Sequence, residues 1–174
     1  KNIAKELVNI YGDEASYNTE EFKELFDIAR EYKIPFTIHA GEVGSHESVM
    51  SAIRFGAKRI GHGIRSIDSM DTIKELIKNK VFLEVCPDSN LDTKAVHSIG
   101  DHPIRGLVDL GVNVTVSTDN RTVSNTSLDN EYNLLRRYLG FTDEDILNFN
   151  LNAIEAAFIS EAEKQELRDR LLEK

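Results

Sequence analysis

The chain holds a single cysteine, Cys86, in 174 residues, so no internal disulfide can staple the fold, and a reducing compartment is the expectation. No apolar run approaches the ~20 residues of a membrane-spanning helix, and no secretory apolar segment with a cleavage site follows Lys1. A cytoplasmic protein without a membrane partner is the reading. Clustered basic charge is lacking too. The 21 Lys and Arg residues are scattered among 30 Asp and Glu, for a formal charge of -9, and this argues against nucleic acid as a partner, because phosphate binding needs a concentrated positive surface. Pro- or Gly-rich linkers, low-complexity tracts and internal repeats are missing as well, so residues 1–174 read as a single domain. A chain of this length buries roughly two thirds of its unfolded surface, enough for one sizeable core.

What is present is an alternation of short apolar runs with longer helical patterns, the signature of parallel strands joined by crossover helices. Strands are expected at residues 7–11, 35–39, 58–60, 81–85 and 113–117. The helix over 19–32 opens at Thr19, Glu20 and Glu21 and presents Phe22, Leu25, Phe26 and Ala29 as its apolar face. Helices over 45–55, with Gly56 as its stop, and 69–79, with Met70, Ile73, Leu76 and Ile77 on one side, follow. Pro103 fits the first turn of a helix ending before Gly111, and another helix covers 127–139. From Thr142 onward only helical patterns remain, at 143–150, 152–158 and 161–172. The fold class is therefore α/β with a C-terminal helical tail.

Alternate residues of a strand share a face, so Thr37 and His39 point one way while Phe36 and Ile38 point the other. In the last strand Val112, Val114 and Val116 oppose Asn113, Thr115, Ser117 and, if it continues, Asp119; Glu84 and Cys86 repeat the pattern. Polar residues thus stand at the C-terminal ends of the strands, where parallel sheets and barrels build active sites. His39, Glu42, His62, Glu84 and Asp119 converge on one cleft in this reading. His39 and Asp119 are the pair assigned to a metal, since neutral imidazole and carboxylate are usual zinc ligands. Each residue also has a plainer reading. A His at a strand end is often a hydrogen-bonded rim residue, Asp119 beside Asn120 can be a turn former, Glu42 a solvated loop acid, and His62 part of a tight turn between Gly61 and Gly63. Cys86 before Pro87 is most simply a small buried hydrophobe. His46, His97 and His102 show no partner by spacing and are assigned to the surface or to helix caps.

The segments Gly12-Asp13-Glu14-Ala15-Ser16, His39-Ala40-Gly41-Glu42, Arg59-Ile60-Gly61-His62-Gly63, Glu84-Val85-Cys86-Pro87 and Ser117-Thr118-Asp119-Asn120 resemble, in this order, the motifs of adenosine deaminases. The resemblance runs from about Gly12 to the C-terminus. It implies a partial (β/α)8 barrel of about five units and hydrolytic deamination of adenosine or deoxyadenosine with Zn2+ as cofactor. By resemblance, His39 and Asp119 are zinc ligands, Glu42 is the acid that protonates the purine ring nitrogen, and His62 orients and deprotonates the water. Gly12 contacts the purine through its N–H. Asn120, within an Asp-Asn-Arg run that looks like the bacterial variant, hydrogen-bonds the base. Zinc brings the pKa of bound water from 15.7 to about 7, and a carboxyl group kept protonated by burial is suited to stabilise charge on the ring nitrogen.

The family's first strand ends in a His-x-His pair that supplies two further ligands, and no His-x-His occurs in this sequence. The expectation is a chain that lacks the N-terminal half and is not a competent deaminase alone. Open sheet edges then invite self-association, a domain swap, or a cover by the N-terminal residues or the helical tail. Besides a purine nucleoside, an adenine or AMP substrate fits the His-Ala-Gly-Glu element and the late Asp, although the segments around His62 and Asp119 favour the nucleoside. A non-catalytic barrel fragment acting as a binding or assembly module stands as the alternative from another class.

Overall fold

Parallel neighbours cannot be joined by a hairpin, so every strand-to-strand step here needs a crossover segment. The computed structural model describes residues 8–10, 14 and 19–173. Strand β1 (Val8–Ile10) leads through a 3-10 turn at Thr19–Phe22 and helix α1 (Lys23–Glu31) to β2 (Phe36–Ala40). Helix α2 (His46–Phe55) leads on to β3 (Arg59–His62), and a 3-10 turn at Ile64–Asp68 with α3 (Met70–Lys78) to β4 (Phe82–Val85). Two short helices, α4 (Pro87–Asp92) and α5 (Ile104–Asp109), precede β5 (Asn113–Val116). The five strands form one sheet in the order β1-β2-β3-β4-β5, all neighbours parallel, with Ile10 opposite Ile38, Ile38 opposite Ile60, and Leu83 opposite Val114. Each strand is laid beside its predecessor, the winding of a (β/α)8 barrel, and the described residues supply five such units of an α/β fold. The expected strand positions hold to within a residue or two; residues 7 and 11 lie outside the described set.

Local chemistry sets the helix ends. Ser45 accepts the Glu47 N–H to open α2, and Gly56, at φ 91°, closes it in the left-handed conformation that glycine adopts without penalty. Ser69 caps α3 by accepting the Thr72 N–H. The core gathers Phe26, Ile38, Ile60, Ile73, Leu76, Leu83 and Leu107 between the sheet and its helices.

Three departures from the sequence pattern have physical causes. Leu25, Met70 and Ile77 are 42%, 53% and 41% exposed, because they border the apolar stripes rather than centre them; Thr72 takes the buried place beside Ile73 and Leu76. The helices expected over 143–150 and 152–158 are one, α7 (Asp143–Ala156), since neither Gly nor Pro interrupts the run. It follows α6 (Leu128–Leu139), and α8 (Glu161–Leu172) ends the tail. Helix α4 was not foreseen at all. In the tail, α7 packs on β5, where the Asn152 side-chain amide donates to the Val114 carbonyl at 2.8 Å. Among the described residues no helix is long and apolar enough to cross a membrane.

Candidate active-site and metal cluster

Strand β2 delivers His39 to the C-terminal rim of the sheet, and the chain then turns at Gly41, φ 73°, where any side chain would collide with Val49. The turn brings Glu42 back on His39: His39 Nε2 and Glu42 Oε2 are 3.1 Å apart. Glu14 fastens this loop by accepting the N–H groups of Gly41, Glu42 and Val43 and the Ser48 hydroxyl. Burial acts to raise the Glu14 carboxyl, but the Ser48 hydroxyl and the loop N–H groups outweigh it and hold the group below its ordinary value.

Strand β3 ends on His62, held at φ 59°, with Gly63 at φ 66° behind it and the Gly63 N–H donating to the Ala40 carbonyl at 3.0 Å. A non-glycine residue in the left-handed region is strained, and such strain is concentrated at functional sites. The His62 ring lies against His39, centroids 4.4 Å apart, with Nδ1 at 3.6 Å from Glu42 Oε1. One ligand-type atom from each of His39, Glu42 and His62 falls within 4.8 Å of the others.

Helix α4 opens where β4 ends, with Pro87 in its first turn, and supplies the partners the strands lack. Ser89 Oγ donates to Asp119 Oδ2 at 2.8 Å. Asn90 Nδ2 is 2.9 Å from Glu42 Oε1 and 3.0 Å from His62 Nδ1, and Thr93 Oγ1 donates to Glu42 Oε1 at 2.9 Å. The helix is itself pinned by Glu131, fully buried, which accepts the Asp88 N–H at 3.0 Å and the Thr126 hydroxyl at 3.1 Å.

The charge states follow from these contacts. Burial acts to raise the Glu42 carboxyl, yet His39, His62 and Thr93 together bring it down to about 2. Glu42 is therefore a carboxylate in the free chain. Burial pushes His62 below its ordinary value against the pull of the Glu42 charge, so its ring is neutral at neutral pH. Burial likewise lowers His102 to about 4 and raises the Cys86 thiol, in keeping with Cys86 as an inert buried residue.

The structure brings together His39, Glu42 and His62. Asp119, exposed and at φ 51°, stands outside that trio, but it accepts the hydroxyl of Ser89, the residue next to Asn90, and its charge is felt at His62. Glu84 does not join the cluster: it is bound to Thr37 at 2.9 Å and to Arg59 at 3.2 Å. Asn120 uses its side-chain carbonyl to accept the Thr122 and Val123 N–H groups, and Gly12 lies outside the described residues. His102 corrects the surface reading: it is 3% exposed, with Nε2 at 3.2 Å from Asn90 Oδ1, while its Nδ1 accepts the Ile104 N–H that opens α5, in keeping with the capping alternative. Ser89, Asn90 and Thr93 escaped the sequence reading. Cys86-Pro87 directly after a strand was the available signal, since proline at a first helical position announces a helix. By donor type the His39 imidazole, at the end of β2, and the Asp119 carboxylate, beyond the end of β5, fit the ligand preferences of zinc, and both stand on the C-terminal rim of the sheet.

The family model described as Adenosine deaminase matches residues 6–174. A curated adenosine deaminase from Haemophilus ducreyi is 44% identical over 160 residues, which cover 92% of this chain and 46% of that protein. Among solved structures, the adenine deaminase from Arthrobacter aurescens superposes with a TM-score of 0.91 at 30% identity, over 95% of this chain and 51% of its own. Arabidopsis ADAL complexed with IMP gives a TM-score of 0.83 at 27% identity, over 94% of this chain and 47% of its own. The chain spans about half the length of the curated relatives it matches.

Proposed function

Because the chain belongs to the adenosine deaminase family, we propose that its cluster is part of a site for hydrolytic deamination of adenosine or deoxyadenosine to inosine or deoxyinosine. The observation that carries the reading is the convergence of His39, Glu42 and His62 at the C-terminal rim of the sheet. His39 and Asp119 would hold zinc, and bound zinc would supply a Lewis acid that makes water nucleophilic near neutral pH. Once it has taken up a proton from water, Glu42 donates a hydrogen bond to the purine ring nitrogen next to the reacting carbon, since a carboxylate and an unprotonated ring nitrogen both only accept. It enters as the carboxylate, and a flat ring that displaces water from beside it adds to the desolvation that favours proton uptake. His62 orients the attacking water, Asn120 hydrogen-bonds the base, and Gly12 contacts the purine.

A segment that completes the ligand set is needed for turnover, since catalytic zinc usually has three protein ligands. The test joins this chain behind the N-terminal portion of the Haemophilus ducreyi relative and measures zinc content and adenosine-to-inosine conversion by ultraviolet absorbance. Stoichiometric zinc with turnover is expected. A folded, zinc-loaded chimera without deaminase activity on any purine would overturn the reading in favour of an assembly module. The adenine deaminase likeness favours a second substrate, the free base. Faster turnover of adenine than of adenosine or AMP would move the assignment there.

A further inference from the structure

Asn90 is fully buried, and every contact of its side chain is to a group of the cluster or to a residue behind it. The two ends of an amide have nearly the same shape, so their neighbours must decide which is nitrogen and which is oxygen. A carboxylate only accepts hydrogen bonds, so the end 2.9 Å from Glu42 Oε1 is the NH2 group. Oδ1 then faces His102 Nε2 at 3.2 Å. His102 Nδ1 accepts the Ile104 N–H at 3.2 Å, which leaves the ring's one proton on Nε2, where Oδ1 needs a donor. The orientation is the same whether it is read from Glu42 or from His102.

With the amide so fixed, one Nδ2 hydrogen serves Glu42 and the other meets His62 Nδ1 at 3.0 Å. A donor aimed at Nδ1 requires a lone pair there. We propose that Asn90 is a positioning residue that holds His62 in the tautomer with a bare Nδ1 and a protonated Nε2, so that His62 meets the nucleophile as a hydrogen-bond donor. This rests on the deaminase reading for its catalytic meaning, and it changes the part of His62 in that reading. A ring held in this tautomer orients water or hydroxide through Nε2–H; its remaining lone pair is engaged by Asn90, so it does not take the water's proton. Asn90 also keeps acid and histidine apart. Glu42 Oε1 lies 3.6 Å from His62 Nδ1, and without the intervening amide Nδ1 would carry the proton and donate it to that carboxylate.

The tautomer is read directly from the imidazole nitrogen shifts of the metal-free chain labelled with 15N-histidine, at mildly alkaline pH, with the His62 signals assigned by their loss in His62→Gln. The expected result is Nε2–H in the unsubstituted chain and Nδ1–H in Asn90→Leu, which keeps the volume but has no donor, and in Asn90→Ala. An Nδ1–H in the unsubstituted chain, or Nε2–H retained in a variant with an unchanged backbone amide fingerprint, would overturn the proposal. If both variants lose the fold, the unsubstituted chain alone decides by the same criterion. In the chimera, Asn90→Leu is expected to lower kcat by ~10²-fold with KM little changed, the cost of a misplaced catalytic group. The tautomer needs no turnover to be seen. An inactive chimera with Nε2–H therefore sinks the deaminase reading and leaves the assignment of Asn90 standing, whereas an active one with Nδ1–H does the reverse.

Discussion

Two glutamates grip the short helix α4, both sealed from water, and they are driven in opposite directions: Glu42 falls to about 2 and Glu131 rises to about 7. Desolvation acts upward on both and is the largest single influence on each. Their partners differ. Glu42 faces two imidazoles as well as the Thr93 hydroxyl and the Asn90 amide, whereas Glu131 has one backbone N–H and one hydroxyl and feels the like charges of Asp88 and Asp92. Burial sets a common bias and the neighbours decide the outcome. In the proposed site, therefore, one acid is a carboxylate ready for chemistry, and the other is a bolt whose charge the fold resists.

The largest expected effect separates the two by activity. In the chimera, Glu42→Gln is expected to cost ~10² to 10⁴-fold in kcat, the usual range for a positioned proton-transfer group, with little change in the thermal melting curve. Glu131→Gln, whose carbonyl oxygen still accepts the Asp88 N–H while its NH2 donates to a reoriented Thr126 hydroxyl, is expected to leave kcat within a fewfold range. Equal losses in the two variants would break the distinction between a chemical and a structural acid.

Stability should order them the other way. Glu131→Ala strands the Asp88 N–H and the Thr126 hydroxyl in a cavity and is expected to cost roughly 2–4 kcal/mol in denaturant unfolding. The pH dependence sharpens the point. A carboxyl raised from an ordinary 4.5 to about 7 in the fold contributes fully below 4.5, and that contribution is lost as pH rises through 7. The loss amounts to roughly 3 kcal/mol. Glu131→Gln cannot ionise, so its stability relative to the unsubstituted chain should climb between pH 5 and pH 8. A constant difference across that window would mean that Glu131 is ionised in the fold like Glu42.

The same contrast explains what was legible in the sequence. His39 and His62 could be found because strands alternate and the C-terminal rim of a parallel sheet is a known place to look. Glu42 could be found because it follows His39 across one glycine turn. Helix α4 could not. Its six residues carry a single large apolar side chain, Leu91, so no periodicity marks it, and Ser89 and Asn90 look like loop residues although they are 3% and 0% exposed. His102 had no partner by spacing because its partner, Asn90, is set by tertiary packing rather than by a helical or strand interval. The direction in which Glu42 is shifted in the free chain was not legible for a related reason. Burial is guessed from sequence, but a 3.1 Å approach of His39 and a 2.9 Å hydroxyl are not.

The smallest effect belongs to Thr93, and it probes how the burden on Glu42 is shared. Thr93 is itself exposed, so water can replace its hydroxyl at Glu42 Oε1 in Thr93→Val, while Asn90 and His39 keep their contacts. The expected cost is below ~1.5 kcal/mol in denaturant unfolding, the net worth of an ordinary hydrogen bond, with the Glu42 carboxyl shifted upward and kcat in the chimera changed only a fewfold. The imidazoles would then be the groups that set the charge of Glu42. A Thr93→Val loss of kcat as deep as that of Glu42→Gln would instead give the hydroxyl the decisive part, and the contrast with Glu131, which also accepts one hydroxyl and yet rises, could no longer be laid to the imidazoles.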